Sequence, residues 1–239
     1  MASIKSSLLA EHGFRHGFSL RTGGVSVGPY ASLNLGRNVG DDPLAVEANQ
    51  RRFAAELGYT ASDLCELNQV HGGVVRAPHE RGLDGDAIVS VREPLGIRVA
   101  DCAAVLIADP VSGAVAAAHA GWRGVVARVV PNAIAALGEP SRLVAAVFPC
   151  IGLDAFEVGD EVAQQLAQVA GEDVVRRGPG RPHVDLQRAV YAQLIASGLA
   201  VARVERVFGC TVSEPARFFS YRRDAGVTGR HLAVILPRC

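Results

Sequence analysis

Short apolar runs alternate with polar and turn-forming stretches along the chain, and their lengths are those of buried strands. Such runs occupy residues 86–90, 97–100, 104–108, 114–118 and 143–148. Further strands are predicted at residues 14–20, 204–208 and 232–236. Because no helical pattern separates the runs between 86 and 118, we expect antiparallel pairs within a mixed sheet. No apolar run approaches the ~20 residues that a membrane-spanning helix needs.

Helical patterns lie between these runs. The clearest follows Asp42, which suits the N-cap, and Pro43, which suits the first turn, and it ends at Gly58. Pro131 should kink or divide a helix predicted within residues 121–137. Two more helices are predicted at 161–169 and 185–197. Strands and helices mixed in this way indicate an α/β or α+β domain.

Length and composition favour a single globular domain over residues 1–239, since neither a repeat nor a linker-like segment interrupts the chain. Lys+Arg and Asp+Glu both number 24, so bulk charge indicates neither a nucleic-acid nor a membrane partner. The five cysteines form no CxxC pair and the N-terminus lacks a signal-peptide pattern. We therefore expect reduced thiols and a cytoplasmic protein, while the oligomeric state stays open.

Three short motifs put chemically versatile side chains at predicted strand ends, where α/β proteins usually hold ligands. They are NQVHG with His71, ADC with Cys102 and HAGWRG with His119. Two His and one Cys form the type of ligand set that catalytic zinc uses, with a fourth position left for water or substrate. The same residues also allow a metal-free site, with Cys102 as nucleophile and a His as base. The residues alone do not decide between the two.

These motifs resemble the signature of the YfiH-like family, also called the laccase-domain or polyphenol-oxidase-like family. The resemblance extends over nearly the whole chain, through HGFSLRTGGVS, GPYASLNLG, PCIG, FEVGDEV and FFSYRRD. It implies a single-domain α+β fold with mixed β-sheets and outer helices. The sequence departs from the family at Ala104, where Pro is usual, and at Phe148, where Gly is common. Neither position belongs to the three motif residues.

The resemblance also implies a function. Family members cleave adenosine, inosine and methylthioadenosine with phosphate, and they can also deaminate adenosine. Carried over to this chain, the catalytic and zinc-binding residues are His71, Cys102 and His119. The expected partners are therefore a purine nucleoside and phosphate.

Phosphorolysis requires groups that hold phosphate and nucleoside, and the sequence offers several. Arg suits bidentate phosphate binding, and the candidates are Arg21, Arg123 and, with a surface position favoured, Arg222 and Arg223. Asn34 is a candidate for binding ribose or phosphate, and it could equally close a turn. Asp86 and Asp101 are the candidate acid/base carboxylates, each of which could instead hold a turn or a His. The predicted substrate-binding set is Arg21, Asn34, Asp86 and Arg123.

Three alternatives stay open. The first is a metal-free cysteine hydrolase that edits peptidoglycan precursors, and the second is a metal-binding regulatory module. The third, a copper-dependent polyphenol oxidase, is disfavoured because multicopper oxidation needs additional copper centres. The chain has only seven His, no His-x-His motif and one Met.

Overall fold

Twelve strands and six helices make up the regular structure in the computed structural model, which describes residues 3–238. Cys239 lies outside these residues. The strands are β1 (Ser3–Ile4), β2 (His16–Ser19), β3 (Val75–Arg76), β4 (Ala87–Ser90), β5 (Leu95–Val99), β6 (Ala103–Ala108), β7 (Val115–Ala120), β8 (Val144–Val147), β9 (Val175–Arg176), β10 (His183–Val184), β11 (Val204–Arg206) and β12 (His231–Ile235). The α-helices are α1 (Ser7–Glu11), α2 (Pro43–Leu57), α3 (Trp122–Val126), α4 (Val129–Leu137), α5 (Asp160–Ala170) and α6 (Leu186–Ala196).

The strands form two main sheets and one short ribbon. One sheet has four antiparallel strands in the order β1-β2-β12-β5. The other has six strands in the order β11-β8-β6-β7-β4-β3, and its two outermost pairs are parallel while the inner pairs are antiparallel. Strands β9 and β10 pair with each other. The six-stranded sheet is therefore mixed and contains antiparallel pairs, as expected.

The two sheets pack face to face, and helices cover their outer faces. On β12, Ala233 and Ile235 enter the core between the sheets, whereas Leu232 and Val234 pack under α2. On β6, Leu106 faces the four-stranded sheet and its neighbours in sequence pack on the other side, with residues of α4, α5 and α6. Successive side chains on a strand point to opposite faces, so strands covered on both faces read as unbroken apolar runs.

Pro131 accounts for the division of one predicted helix, and Phe148 packs in the core. The helix predicted over 121–137 is divided into α3 and α4, because the ring of Pro131 clashes with the carbonyl of the residue four positions earlier, Ala127. The break accordingly falls at Ala127 and at Arg128, which has φ +60°. Phe148 fills the space between the sheets and stacks on Phe18, with ring centroids 5.7 Å apart. The α+β fold class with mixed sheets and outer helices is confirmed.

Strand β5 determines the position of the site. It follows β4 in sequence but pairs with β12 in the four-stranded sheet, and the chain then returns to the six-stranded sheet as β6. The crossing segment, Ala100–Cys102, therefore lies at the edge where the two sheets meet. Among the described residues, no helix is both long and apolar enough to span a membrane.

Candidate active site

His71, Cys102 and His119 come together at this edge. His71 lies in the turn after Asn68–Val70, Cys102 follows β5, and His119 is next to last in β7. One ligand atom from each residue lies within 4.8 Å of the others. The two imidazole rings meet edge to face, with centroids 4.7 Å apart. Separations of 31 and 17 residues in sequence are thus closed by the sheet crossing.

Asp86 holds both histidines. Its carboxylate is fully buried, and Oδ1 lies 2.8 Å from His119 Nδ1 while accepting the backbone N–H of His71 at 2.9 Å. Oδ2 accepts the backbone N–H groups of Gly72 at 2.6 Å and Val70 at 3.2 Å. A carboxylate can only accept, so His119 donates to it from Nδ1, and the neutral form of His119 then presents a bare Nε2 towards Cys102.

Cys102 and His119 also alter each other's protonation. Burial opposes ionisation of Cys102, but His119 and His71 overcome it and lower the pKa of the thiol to about 6. Burial likewise opposes the charged form of His119, but Cys102 and Asp86 raise its pKa to about 9. The pair therefore favours a thiolate beside an imidazolium, or a thiolate and a neutral imidazole when a cation binds between them.

Gly121 keeps the space beside this centre open. A Cβ at position 121 would lie 2.7 Å from Cys102 Sγ and 3.2 Å from His71 Cδ2. The backbone of Gly121 has φ −73°, which any residue adopts. Only the approach of the sulfur and the imidazole therefore demands a glycine here.

A cavity of about 810 Å³ opens onto the three residues. This volume lies within the range of small-molecule sites. Aromatic and apolar side chains form one wall, including Trp122, Ile151 and Phe156. Four arginines and two carboxylates supply charge to the remainder: Arg37, Arg98, Arg222, Arg230, Glu66 and Asp101. The excess of cationic groups favours an anionic or partly anionic ligand.

Comparison with known proteins identifies the family of the chain. Residues 15–238 match the family model described as multi-copper polyphenol oxidoreductase laccase. The chain belongs to this laccase-domain, or YfiH-like, family. It is 45% identical over 232 residues to a purine nucleoside phosphorylase of Deinococcus radiodurans, covering 93% of this chain and 89% of the relative. It is 39% identical over 226 residues to the purine nucleoside phosphorylase YfiH of Escherichia coli, covering 91% of each.

Solved structures of the laccase-domain family share the fold. YlmD from Geobacillus stearothermophilus superposes with a TM-score of 0.90 at 32% identity, covering 98% of this chain and 94% of that one. The Neisseria meningitidis protein NMB0706 gives a TM-score of 0.85 at 37% identity, covering 94% and 95%. The family resemblance read from the sequence motifs is thereby confirmed.

The four predicted substrate-binding residues are not among those that line the cavity, and their contact with substrate stays a prediction. Arg21 donates to the carbonyls of Ala31 at 3.0 Å and Pro215 at 2.8 Å. Arg123 is exposed and stacks on the outer side of Trp122, 4.3 Å from the ring centroid. Arg21 therefore binds residues outside the cavity lining, whereas Arg123 packs on Trp122, which belongs to the lining.

The two polar candidates also act on the protein itself. Asn34 is fully buried, and its Oδ1 accepts the N–H groups of Gly36 at 2.8 Å and Arg230 at 2.9 Å. It closes a turn, as the alternative interpretation had it, and it also fixes the segment that carries Arg230 into the cavity. The carboxylate of Asp86 binds the ring of His119 and accepts the backbone N–H of His71.

Sequence reasoning missed several residues of the cavity. Glu66 and Arg98 form a half-buried bidentate pair, with contacts of 2.6 and 2.7 Å. Gln69 pairs with the backbone of Arg98 through both ends of its amide, at 2.8 and 2.9 Å. Arg222, a phosphate candidate for which a surface position was favoured, is exposed and also lines the cavity. Signals were available for Gln69, which belongs to the NQVHG motif, and for Arg222, which belongs to the FFSYRRD motif.

Proposed function

We propose that the chain is a purine nucleoside phosphorylase that acts on adenosine, inosine and methylthioadenosine, with zinc at His71, Cys102 and His119. One observation carries the proposal, namely the meeting of these three side chains in an arginine-rich cavity of about 810 Å³. The names of the Deinococcus radiodurans and Escherichia coli relatives support it, because the chain matches them over almost its whole length.

The proposed phosphate-binding groups are Arg222 and Arg230. The guanidinium of Arg222 donates one N–H to the carbonyl of Glu157 at 3.1 Å and leaves further donors for a ligand. Arg230 donates through Nη1 to two carbonyls of its own loop and lies 5.5 Å from the ring centroid of Tyr221. Arg98, in contrast, is committed to Glu66. Planar guanidinium groups recognise phosphate oxygens in pairs.

In phosphorolysis, a phosphate oxygen forms a bond to C1′ of the ribose while the bond from C1′ to purine N9 breaks. The bonding electrons leave with the purine, which then takes up a proton. In this chain, Arg222 and Arg230 would hold the nucleophile and balance its charge, whereas Trp122 and Phe156 offer apolar surface to the base. Their rigid placement would supply the orientation on which such catalysis depends.

The donor set fits zinc. It has two imidazoles and a thiol whose pKa is lowered to about 6, and Asp86 leaves His119 Nε2 free to coordinate. When bound, zinc supplies Lewis acidity at this point of the cavity. His71, Cys102 and His119 would hold it, and Asp86 would keep His119 in the required tautomer. A centre that depends on a reduced thiol also suits the cytoplasm, which remains the predicted compartment.

Adenosine deamination at the same centre would need a carboxylate that moves protons. Asp86 and Asp101 accept hydrogen bonds from protein donors through both of their oxygens. Glu66 is engaged in the same way, since both of its oxygens contact Arg98, although burial raises its pKa. Deamination is therefore a secondary proposal, which would require one of these three carboxylates to release its protein donors.

The pairing of Cys102 with His119 equally favours the metal-free alternative, a cysteine hydrolase acting on peptidoglycan precursors. Copper-dependent polyphenol oxidation has less support. Within residues 3–238, His71, Cys102 and His119 are the one group of three or more His, Cys, Asp or Glu side chains close enough to hold a metal. His16 and His231 are buried and bind backbone groups through both ring nitrogens.

The test is adenosine turnover by the purified protein with and without phosphate, with metal content determined on the same sample. Phosphate-dependent release of adenine by protein holding about one zinc per chain is expected. Cys102→Ala and His119→Ala should abolish turnover, and Cys65→Ala, which alters a buried thiol that does not line the cavity, serves as the control. Absence of nucleoside turnover would refute the proposal, and thiol-dependent amide hydrolysis by metal-free protein would favour the cysteine hydrolase.

A further inference from the structure

Asp101 joins three separate segments of the cavity wall. Its Oδ1 accepts the hydroxyl of Thr211 at 2.6 Å, and its Oδ2 accepts the backbone N–H of Arg222 at 2.7 Å. Its own carbonyl accepts the backbone N–H of Ile151 at 2.9 Å. The residue has φ +88°, a left-handed conformation that a non-glycine residue keeps only when its surroundings hold it there. These bonds supply that constraint.

The position of Asp101 relates two parts of the proposed site. It directly precedes Cys102, and it anchors the main chain of Arg222, whose guanidinium faces the cavity. The bonds of Arg222 to Asp101 and to the carbonyl of Glu157 fix its backbone and one arm of its side chain. The carboxylate of Asp101 is thus engaged by protein donors through both oxygens.

We propose that Asp101 is a positioning residue that sets Arg222 at a fixed distance from the Cys102 centre, so that phosphate is held in line with the nucleoside. The inference rests on the proposed function, because it assigns phosphate to Arg222. It concerns binding of the anion and the alignment of the two substrates. Metal binding by His71, Cys102 and His119 is outside its scope.

Two substitutions separate geometry from charge. Asp101→Ala removes both side-chain bonds and frees the loop of Arg222. In Asp101→Asn, the amide oxygen can accept the Arg222 N–H while the amide nitrogen donates to Thr211 Oγ1, because a hydroxyl both donates and accepts. We expect Asp101→Ala to raise KM for phosphate roughly tenfold or more with a smaller change in KM for adenosine. Asp101→Asn should recover most of that loss.

The decisive measurement is a double-mutant cycle on KM for phosphate with Asp101→Ala and Arg222→Ala. If Asp101 acts through Arg222, the double variant resembles Arg222→Ala alone. Independent multiplication of the two effects, or an Asp101→Ala variant with unchanged KM for phosphate, would overturn the proposal. Asp109→Ala is the matched control, since Asp109 is a buried carboxylate with backbone, hydroxyl and Arg142 partners away from the cavity. It should leave KM for phosphate unaltered.

Binding of inorganic phosphate, measured by calorimetry on the wild-type protein and the same variants, keeps the two proposals distinct. Wild-type protein without phosphate-dependent turnover would refute the proposed function. In that event, weaker phosphate binding in Asp101→Ala and its recovery in Asp101→Asn would still support the role of Asp101. Equal binding by the wild type and Asp101→Ala would refute it. Metal content is measured on each sample to show that the Cys102 centre is intact.

Discussion

Replacing Asp86 by Asn should weaken both the fold and the metal centre, because one carboxylate oxygen becomes an N–H₂ group. If the amide nitrogen takes the place of Oδ2, it confronts the N–H groups of Gly72 and Val70, which then lose their acceptor. If it takes the place of Oδ1, it confronts the N–H of His71 and forces His119 to carry its proton on Nε2. Two unsatisfied donors at roughly 1–3 kcal/mol each, partly accessible to water, give a loss of about 2–4 kcal/mol.

The same substitution should lower zinc affinity about 10- to 100-fold, the usual effect of losing the partner of a metal-bound His. The assays are denaturant unfolding of the metal-free protein and zinc competition against a chelator. Asp109→Asn is the matched control, because Asp109 is buried to a similar degree and accepts comparable bonds. It should lose stability but keep its zinc affinity. An Asp86→Asn variant with wild-type zinc affinity would contradict the proposed orientation of His119.

Three further outcomes are expected. Gly121→Ala should lower zinc affinity and turnover at least about tenfold by crowding the sulfur of Cys102, and metal competition would measure the loss. Gly178→Ala should have no effect, because the new Cβ has no neighbour within 4 Å. Gln69→Ala should cost about 1–3 kcal/mol of unfolding free energy and reduce turnover, because the turn loses its two bonds to β5. Burial lowers the pKa of His231 to about 3, so the fold loses stability as pH falls from 6.5 towards 3, at no more than about 1.4 kcal/mol per pH unit from this group. Unfolding free energies at several pH values should show a shallower slope for His231→Gln, and an unchanged slope would refute the assignment.

Most of the fold could be predicted because both faces of the central strands are buried. Strands such as β6 and β8 then read as continuous apolar runs, and these were identified within one or two residues. The two-residue strands β1, β3, β9 and β10 were missed, since so short a stretch carries no periodicity. The pairing of β5 with the four-stranded sheet could not be predicted either, because pairing partners depend on tertiary packing.

The chemistry of the site was predictable where side-chain type alone restricts the role. A cluster of two His and one Cys at strand ends can serve few functions, and the structure brings these three residues together. The structure engages Arg21 with a backbone carbonyl and Asn34 with a turn, because arginine and asparagine make such bonds as readily as they bind ligands. Residues such as Glu66 and Arg98 gave no local signal, since their pairing joins the segment before the NQVHG motif to β5.

Backbone strain is concentrated around the same cavity. Among the described non-glycine residues, five have positive φ, and three of these, Asn38, His71 and Asp101, line it. A left-handed residue costs on the order of 1–2 kcal/mol, so each needs compensating contacts. Asp86 supplies them at His71 by accepting the N–H groups of three successive residues, and it orients His119 with the same carboxylate. Because one buried group both holds the strained turn and orients the second histidine, loss of His71 geometry and loss of His119 geometry should occur together.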